Sequence, residues 1–416
     1  MKRWMVIAAV IGLALVPGFT GFVQDVPPVV KVGTLFAYTG PLAEFGVPER
    51  QGTELAAEQI NAAATEIFGG PIIMLIHEDT GTDARVGVDR ARKLVEIDNV
   101  VAIVGAMASG VTIPIAETVT IPAGVLQISN ASTSPLITVL SADEGRDFLF
   151  RTCASDAMQG VVLGRIAILQ GFKTASTIYV DNPYGFGLSE AFAAEFERLG
   201  GTVLAKVPHP EEPLPSYVAE LEKALAGNPD VLVAISYPGH ATIYLKEAVE
   251  IFGYSNFLYC DGTKSYEIIE ALGPEIVEGQ LGTAPGADPR RGTYKRFLDD
   301  YSAMWGELPP LPFIDTAYDA VAVIGLAIAK AIVDGVEITG ESVRDRLREV
   351  ANPPGELVES PDFAKALELI MQGVDIDWEG VAGSVDFDEN GDVLTPIAVW
   401  KYSQGEVVDL FVVTTF

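Results

Sequence analysis

The sequence predicts an α/β protein of two Rossmann-like lobes, each built on a parallel central sheet, and three observations lead there. Short apolar strands alternate with amphipathic helices from Val29 onward. The alternation restarts after Phe150. The chain of 416 residues is also longer than one hydrophobic core usually organises. Repeated βα alternation builds parallel sheets covered on both faces by helices.

The first lobe opens with the strand "VVKVGTLFA" and passes through "YTGPLAEFG" to a helix placed near Pro48, a residue suited to a first helical turn. Gly52, Leu55, Ala56, Ile60 and Ala63 give that helix one apolar face. "PIIMLIHED" is the next strand. "TDARVGVDRARKLVEI" then supplies a Thr/Asp start and a stripe at Val88, Ala91, Leu94 and Val95. "VVAIVG", the helix "SGVTIPIAETVT" and the strand "GVLQIS" complete the unit. In the second lobe, "ASTIYVD", "GTVLAKV", "DVLVAIS" and "NFLYCDG" are strands separated by helices around 186–199, 216–226 and 239–252. Residues 290–350 return to helices, and "NPPGELVESPDF" is a Pro-rich loop. The stretch from Gly383 to Val413 reads as β-rich, with turns at Asn390-Gly391 and Gln404-Gly405.

At the N-terminus, Lys2 and Arg3 precede the apolar run "WMVIAAVIGLALV", and small residues follow. This is the pattern of a secretory signal, here assigned to residues 1–23 with the cleavage site open. A spanning helix is the competing reading, and the run is shorter than the ~20 apolar residues that a bilayer requires. The mature chain is therefore expected outside the cytoplasm. A composition of 49% hydrophobic and 20% charged residues is globular. A formal charge of −30 excludes the basic footprint that nucleic-acid binding needs. Export would permit a disulfide between Cys153 and Cys260, the only cysteines, and two unlinked buried thiols fit equally well.

The motifs of catalysis are missing. Three histidines, His77, His209 and His240, stand far apart in sequence without metal-ligand spacing. No P-loop or dinucleotide fingerprint occurs, and "GAMASG" lacks the glycine two residues before Ser109 that a nucleophile elbow needs. "DFDENGD" at 386–392 begins like a calcium loop, but its twelfth position is Ile397 where a bidentate Glu is required, so a tight turn between strands is the preferred reading. Neither an enzyme nor a cofactor is expected.

A binding site is better supported. In open α/β sheets, ligands sit at the carboxyl ends of the strands, where helix N-termini also point. In the first lobe, two strand ends carry hydroxyls, at Ser109 and at Thr133 within "ISNASTSPLIT". Taken singly, Ser109 reads as readily as an N-cap and Thr133 as a turn hydroxyl. Together, with the small residues 131–134 letting backbone N–H groups approach, they form a seat for a carboxylate. The second lobe places Tyr184, Tyr237 and Asp261 at its own strand ends, where they can enclose an ammonium group. A carboxylate in one lobe and an ammonium in the other describe an α-amino acid clamped between them.

"KVGTLFAYTGPLAEFGVPERQGTELAAEQIN", "VVAIVGAMASG", "ISNASTSPLIT", "FRTCASDAMQG" and "VDNPYGFG" together resemble the branched-chain amino acid (Leu/Ile/Val) binding proteins of ABC transporters, which are type I periplasmic binding proteins. The resemblance runs in order over the mature chain. It implies two lobes joined by a three-segment hinge, crossing near Arg151, near Gly282–Pro285 and near Gly383–Val385. Lobe 1 would then span 29–151 plus 285–383, and lobe 2 would span 152–284 plus 384–416. Carried over by position, it implies a site of Phe45, Ser109, the Ala131 backbone, Thr133, Tyr184, Tyr237, Asp261 and Phe313, with Asp261 where Glu is common and Phe45 where Tyr is common. A monomer that hands an amino acid to a membrane permease is the implied role. Members of this group also bind amides, urea and aromatic acids, and a ligand-sensing module on the same fold is the rival function. An enzyme on a two-lobed scaffold is the other rival, and the missing nucleophile and metal cluster count against it.

Overall fold

The computed structural model describes residues 26–415, so the secretory signal expected at 1–23 lies outside the described residues. Strands β1 (Val30–Phe36), β2 (Ile73–Asp79), β3 (Ala102–Gly105), β4 (Leu126–Ser129) and β5 (Leu149–Arg151) form the first sheet. Their order is β2-β1-β3-β4-β5, and every pairing is parallel. The second sheet contains β6 (Thr174–Val180), β7 (Thr202–His209), β8 (Val231–Ile235), β9 (Phe257–Tyr259) and β10 (Leu281–Pro285). A small parallel pair, β11 (Glu356–Glu359) with β12 (Ile376–Glu379), stands apart. The hairpin of β13 (Ile397–Ser403) and β14 (Glu406–Val413) extends the second sheet antiparallel to β10. That hairpin turns at Gln404 and Gly405 with φ of 57° and 82°, the left-handed pair that a two-residue loop requires and that glycine supplies without strain.

Burial follows the apolar stripes read from the sequence. Helix Ala43–Phe68 turns Leu55, Ala56, Ile60 and Ala64 against Ile314–Val333, a 20-residue helix buried along nearly its whole length. The latter is long and apolar enough to cross a bilayer, yet it forms the centre of the first core. Pro48 lies inside the first helix rather than in its first turn, because the helix already begins at Ala43.

The third hinge crossing differs from expectation. Val385, Phe387 and Val393 pack in the first-lobe core, and no strand forms before Ile397, so the chain enters the second sheet between Val393 and Ile397 rather than near Gly383–Val385. The β-rich pattern at 385–393 is alternate burial without sheet pairing. The 386–392 segment is a turn closed by Asp388, whose Oδ1 accepts from the N–H groups of Asn390 and Asp392.

The two lobes are closed against each other. One apolar cluster joins Leu35, Phe45 and Met107 of the first to Tyr184, Tyr237 and Leu258 of the second. Across the cleft, Gly239 N–H donates to the Pro41 carbonyl (3.2 Å) and Ser134 Oγ to the Pro183 carbonyl (2.8 Å). Glu44 accepts from Ser265 Oγ and from the Tyr266 N–H, the latter at 3.0 Å.

Candidate functional site

Inside that closed interface is a small cavity of about 20 Å³, lined from the first lobe by Leu42, Phe45, Met107, Ala108, Ser109, Ala131 and Phe313. From the second lobe come Tyr184, Tyr237, Asp261 and Gly262. Strand ends and helix starts supply the polar groups. Ser109 begins the helix after β3, Tyr237 precedes helix Pro238–Phe252, and Asp261 opens a short turn after β9.

The acidic side is a hydrogen-bonded cluster. Asp261 Oδ1 accepts from Gln159 Nε2 (2.8 Å) and from the Tyr184 hydroxyl (3.0 Å). Tyr184 stacks on Tyr237 with centroids 5.6 Å apart and planes 10° from parallel. Tyr237 is held by Asn182 Nδ2, which donates to its hydroxyl at 3.0 Å. Gly262 must be glycine, because a Cβ there would meet the Ser236 carbonyl and lie 2.9 Å from the Tyr184 hydroxyl. Burial raises the Asp261 carboxyl to about 6, against the opposing pull of its hydrogen bonds. Asp156 is raised well above the carboxylate range, first by burial and then by the charge of Asp261. Two carboxyl groups therefore lie close together here, Asp261 in the cavity wall and Asp156 outside it, with no cation hydrogen-bonded to either among the described residues.

Seven of the eight residues expected from sequence line the cavity, and Thr133 does not. Its hydroxyl donates to Asp156 Oδ2 at 2.9 Å and its carbonyl accepts the Asp156 N–H at 2.8 Å, so it ties the first lobe to the start of helix Asp156–Leu169. Ala131 also differs in detail. Its N–H, expected to face a carboxylate, points to Ser129 Oγ at 3.4 Å. Ser109 Oγ accepts the Ser134 N–H at 3.2 Å, which fixes the hydroxyl at the cavity edge.

Sequence reading did not single out Leu42, Met107, Ala108, Gly262, Asp156 or Gln159. The first three read as ordinary apolar residues, and only the strand-end position of "GAMASG" marked Met107 and Ala108. Asp156 and Gln159 stand one helical turn apart in "SDAMQG", so a polar face on an otherwise apolar helix was the available signal.

His209 and His240, distant in sequence, meet behind Tyr237 with ring centroids 5.0 Å apart. No cluster of three metal-ligating side chains occurs among the described residues. Cys153 and Cys260 are both buried and free.

Two α/β lobes closed over a small polar-ended cavity define a ligand-clamping binding protein. The periplasmic binding protein family pattern matches residues 29–367, and the chain belongs to that family. It is 29% identical over 365 residues to the chemotactic signal transduction system substrate-binding protein BasB of Halobacterium salinarum, covering 86% of this chain and 83% of that one. It is likewise 29% identical over 331 residues to the leucine-, isoleucine-, valine-, threonine- and alanine-binding protein of Pseudomonas aeruginosa, covering 79% and 85%. Among solved structures, the leucine-binding protein LivK of Thermotoga maritima superposes with a TM-score of 0.75 at 26% identity, over 93% of this chain and 99% of that one. The LivJ substrate-binding protein of Streptococcus pneumoniae, solved with isoleucine, shares the fold with a TM-score of 0.74 at 22% identity, over 93% and 100%.

Proposed function

We propose that the chain is an extracytoplasmic substrate-binding protein that closes on an aliphatic α-amino acid and delivers it to an ABC importer. One observation carries this reading. The cavity has a buried carboxyl with two stacked tyrosines at one end, hydroxyl and backbone groups at the other, and apolar walls between. Asp261 takes the ligand ammonium as an ion pair, while burial keeps the nearby Asp156 carboxyl in its neutral form. Ser109 and the 131–134 loop, with Thr133 fixed against Asp156, hold the carboxylate end. Phe45, Leu42, Met107 and Phe313 cover an aliphatic side chain. The ligand favours closure because it touches both lobes only when they meet. The names of the relatives in Pseudomonas and Thermotoga support the ligand class, and a signal at 1–23 would supply the export. The protein is expected to act as a monomer with a membrane permease as its partner.

A sensing role is the second reading, favoured by the likeness to BasB. The test is a thermal-shift screen against amino acids, their keto acids, small amides, urea and aromatic acids. A ligand at 100 times its Kd stabilises the native state by about 2.7 kcal/mol. Stabilisation by Leu, Ile or Val without their keto acids supports the proposed clamp. Stabilisation by acids that lack an ammonium overturns the ligand class. Deleting the gene then separates the roles, since loss of uptake marks transport and loss of taxis alone marks sensing.

A further inference from the structure

Two buried side-chain oxygens near the cavity have no donor, Glu49 Oε1 and Asn130 Oδ1. They belong to groups already joined by one hydrogen bond, from Asn130 Nδ2 to Glu49 Oε2 at 2.9 Å. A carboxylate only accepts, so it leaves the amide oxygen orphaned. A carboxylic acid carries a donor and an acceptor on one edge, and a primary amide carries the matching pair. A proton on Glu49 Oε1 would supply the donor that Asn130 Oδ1 lacks and give both orphans a partner. The amide orientation is fixed by the Phe313 carbonyl, which accepts from Nδ2 and would face an oxygen in the flipped amide.

We propose that Glu49 is a neutral carboxylic acid closed into a cyclic pair with the Asn130 amide, and that this pair positions the ligand-facing edge of the first lobe. Asn130 directly precedes Ala131, and its carbonyl accepts from Thr316 Oγ1 at 2.8 Å. Its Nδ2 also reaches the Phe313 carbonyl at 3.4 Å, which Thr316 Oγ1 (3.0 Å) and the Ala317 N–H (3.1 Å) hold as well. Phe313 has φ of 73°, a left-handed conformation that a bulky residue keeps only when its surroundings over-determine it. Two walls of the cavity, Ala131 and Phe313, are therefore tied to one amide, and Glu49 fixes that amide. Glu49 is a positioning residue, since it does not line the cavity.

The surroundings favour the neutral form. Glu49 is fully buried, and burial holds its carboxyl well above the usual range, with the Asn130 hydrogen bond opposing. The ionisable groups nearest it in charge are Tyr38, which feels the Glu49 charge, and on its own helix Arg50 and Glu54, which act on the same tyrosine. Arg50 is turned to Glu54 (3.5 Å) and lies over the Tyr38 ring, and no cation pairs with Glu49 among the described residues. An ionised Glu49 would keep the Nδ2 bond but leave the Asn130 oxygen without a donor, and it would place negative charge behind the seat proposed for the ligand carboxylate. In that respect the inference rests on the amino-acid reading.

The test compares Glu49→Gln, Glu49→Ala and wild type. Gln presents the same donor–acceptor edge as the acid, whereas Ala leaves Asn130 orphaned. Infrared spectra without ligand should show a protonated-carboxyl band in wild type that Glu49→Gln removes. L-Leucine affinity should fall about tenfold or more in Glu49→Ala and be restored in Glu49→Gln. If Glu49→Ala fails to fold, the infrared band and the Glu49→Gln affinity decide. Absence of the band, or equal loss of affinity in both variants, overturns the proposal. Failure of wild type to bind L-leucine sinks the ligand assignment alone, because the band and the order of unfolding midpoints (wild type and Gln above Ala) test the pair without ligand.

Discussion

Arg151 and Asp392 meet at the hinge from opposite halves of the chain, with Nε 2.6 Å from Oδ1 and Nη2 2.8 Å from Oδ2. Arg151 ends β5 at the first crossing, and Asp392 precedes the last one. The same guanidinium donates through Nη1 to the carbonyl of Ser134 (2.9 Å) and through Nη2 to Thr138 Oγ1 (2.7 Å). A bidentate ion pair thus anchors both a hinge strand and the loop at the cavity edge.

Removing one partner should be costly because Arg151 is fully buried. Asp392→Ala leaves a buried cation without its counter-charge, and such losses run at about 3–5 kcal/mol. Urea unfolding followed by circular dichroism reads the change. A loss below about 1 kcal/mol, the range of exposed pairs, would mean that water replaces the carboxylate.

The two cysteines should behave as inert thiols. Burial raises both, Cys260 to about 12, and the Tyr184 hydroxyl lies 3.0 Å from Cys260 Sγ. The thiolate is the reactive form. A thiol reagent should therefore titrate two groups only after denaturation, and reductant should leave the melting temperature unchanged. Fewer than two thiols in the denatured protein would contradict the free state.

Much of this was legible in the sequence, for identifiable reasons. Strands such as "VVAIVG" and "DVLVAIS" are buried on both faces and read as continuous apolar runs, so the parallel sheets stood out. Ser109, Tyr237 and Asp261 stand at strand ends, where topology fixes the position of a ligand. The bond from Thr133 to Asp156 was not legible, because the partner is 23 residues away and no local pattern reveals it. The third crossing was misplaced for a related reason. Alternation in "VDFDENGDV" buries Val385, Phe387 and Val393 without any strand partner, and period-two patterning cannot report pairing. The Glu49–Asn130 contact joins residues 81 apart, and a Glu on a helix reads as solvated until its burial is known.

Gly262 gives a prediction that combines packing with function. An added Cβ would press on the Ser236 carbonyl and the Tyr184 hydroxyl, which also donates to Asp261. Gly262→Ala should lower stability by about 1–3 kcal/mol, the usual cost of overpacking. It should also weaken amino-acid binding by displacing Tyr184. Calorimetric titration beside thermal unfolding checks both, and unchanged affinity would show that the tyrosine hydroxyl is free to move.

The acidic wall predicts how binding depends on pH. The Asp261 carboxyl titrates near 6 in the native protein and near 3.8 when unperturbed. Between those values the native state binds more protons than the unfolded chain, so this group's contribution to stability falls as pH rises and levels off above about 6. An ammonium ligand has the opposite preference, because it pairs with the ionised carboxylate. Affinity for L-leucine should therefore rise from pH 5 to pH 7, by up to about tenfold per pH unit below 6 for one linked proton. The coupling of Asp261 to Asp156 can steepen that slope, while Arg151 opposes it at Asp156. Calorimetric titrations in two buffers of different ionisation enthalpy should detect proton release on binding at pH 5.5. Asp261→Asn should bind weakly without that proton release, and by losing the ion pair it should fall short of wild type at every pH. Affinity that stays flat from pH 5 to 7 would remove Asp261 as the partner of the ammonium and leave the carboxylate end of the site to account for binding.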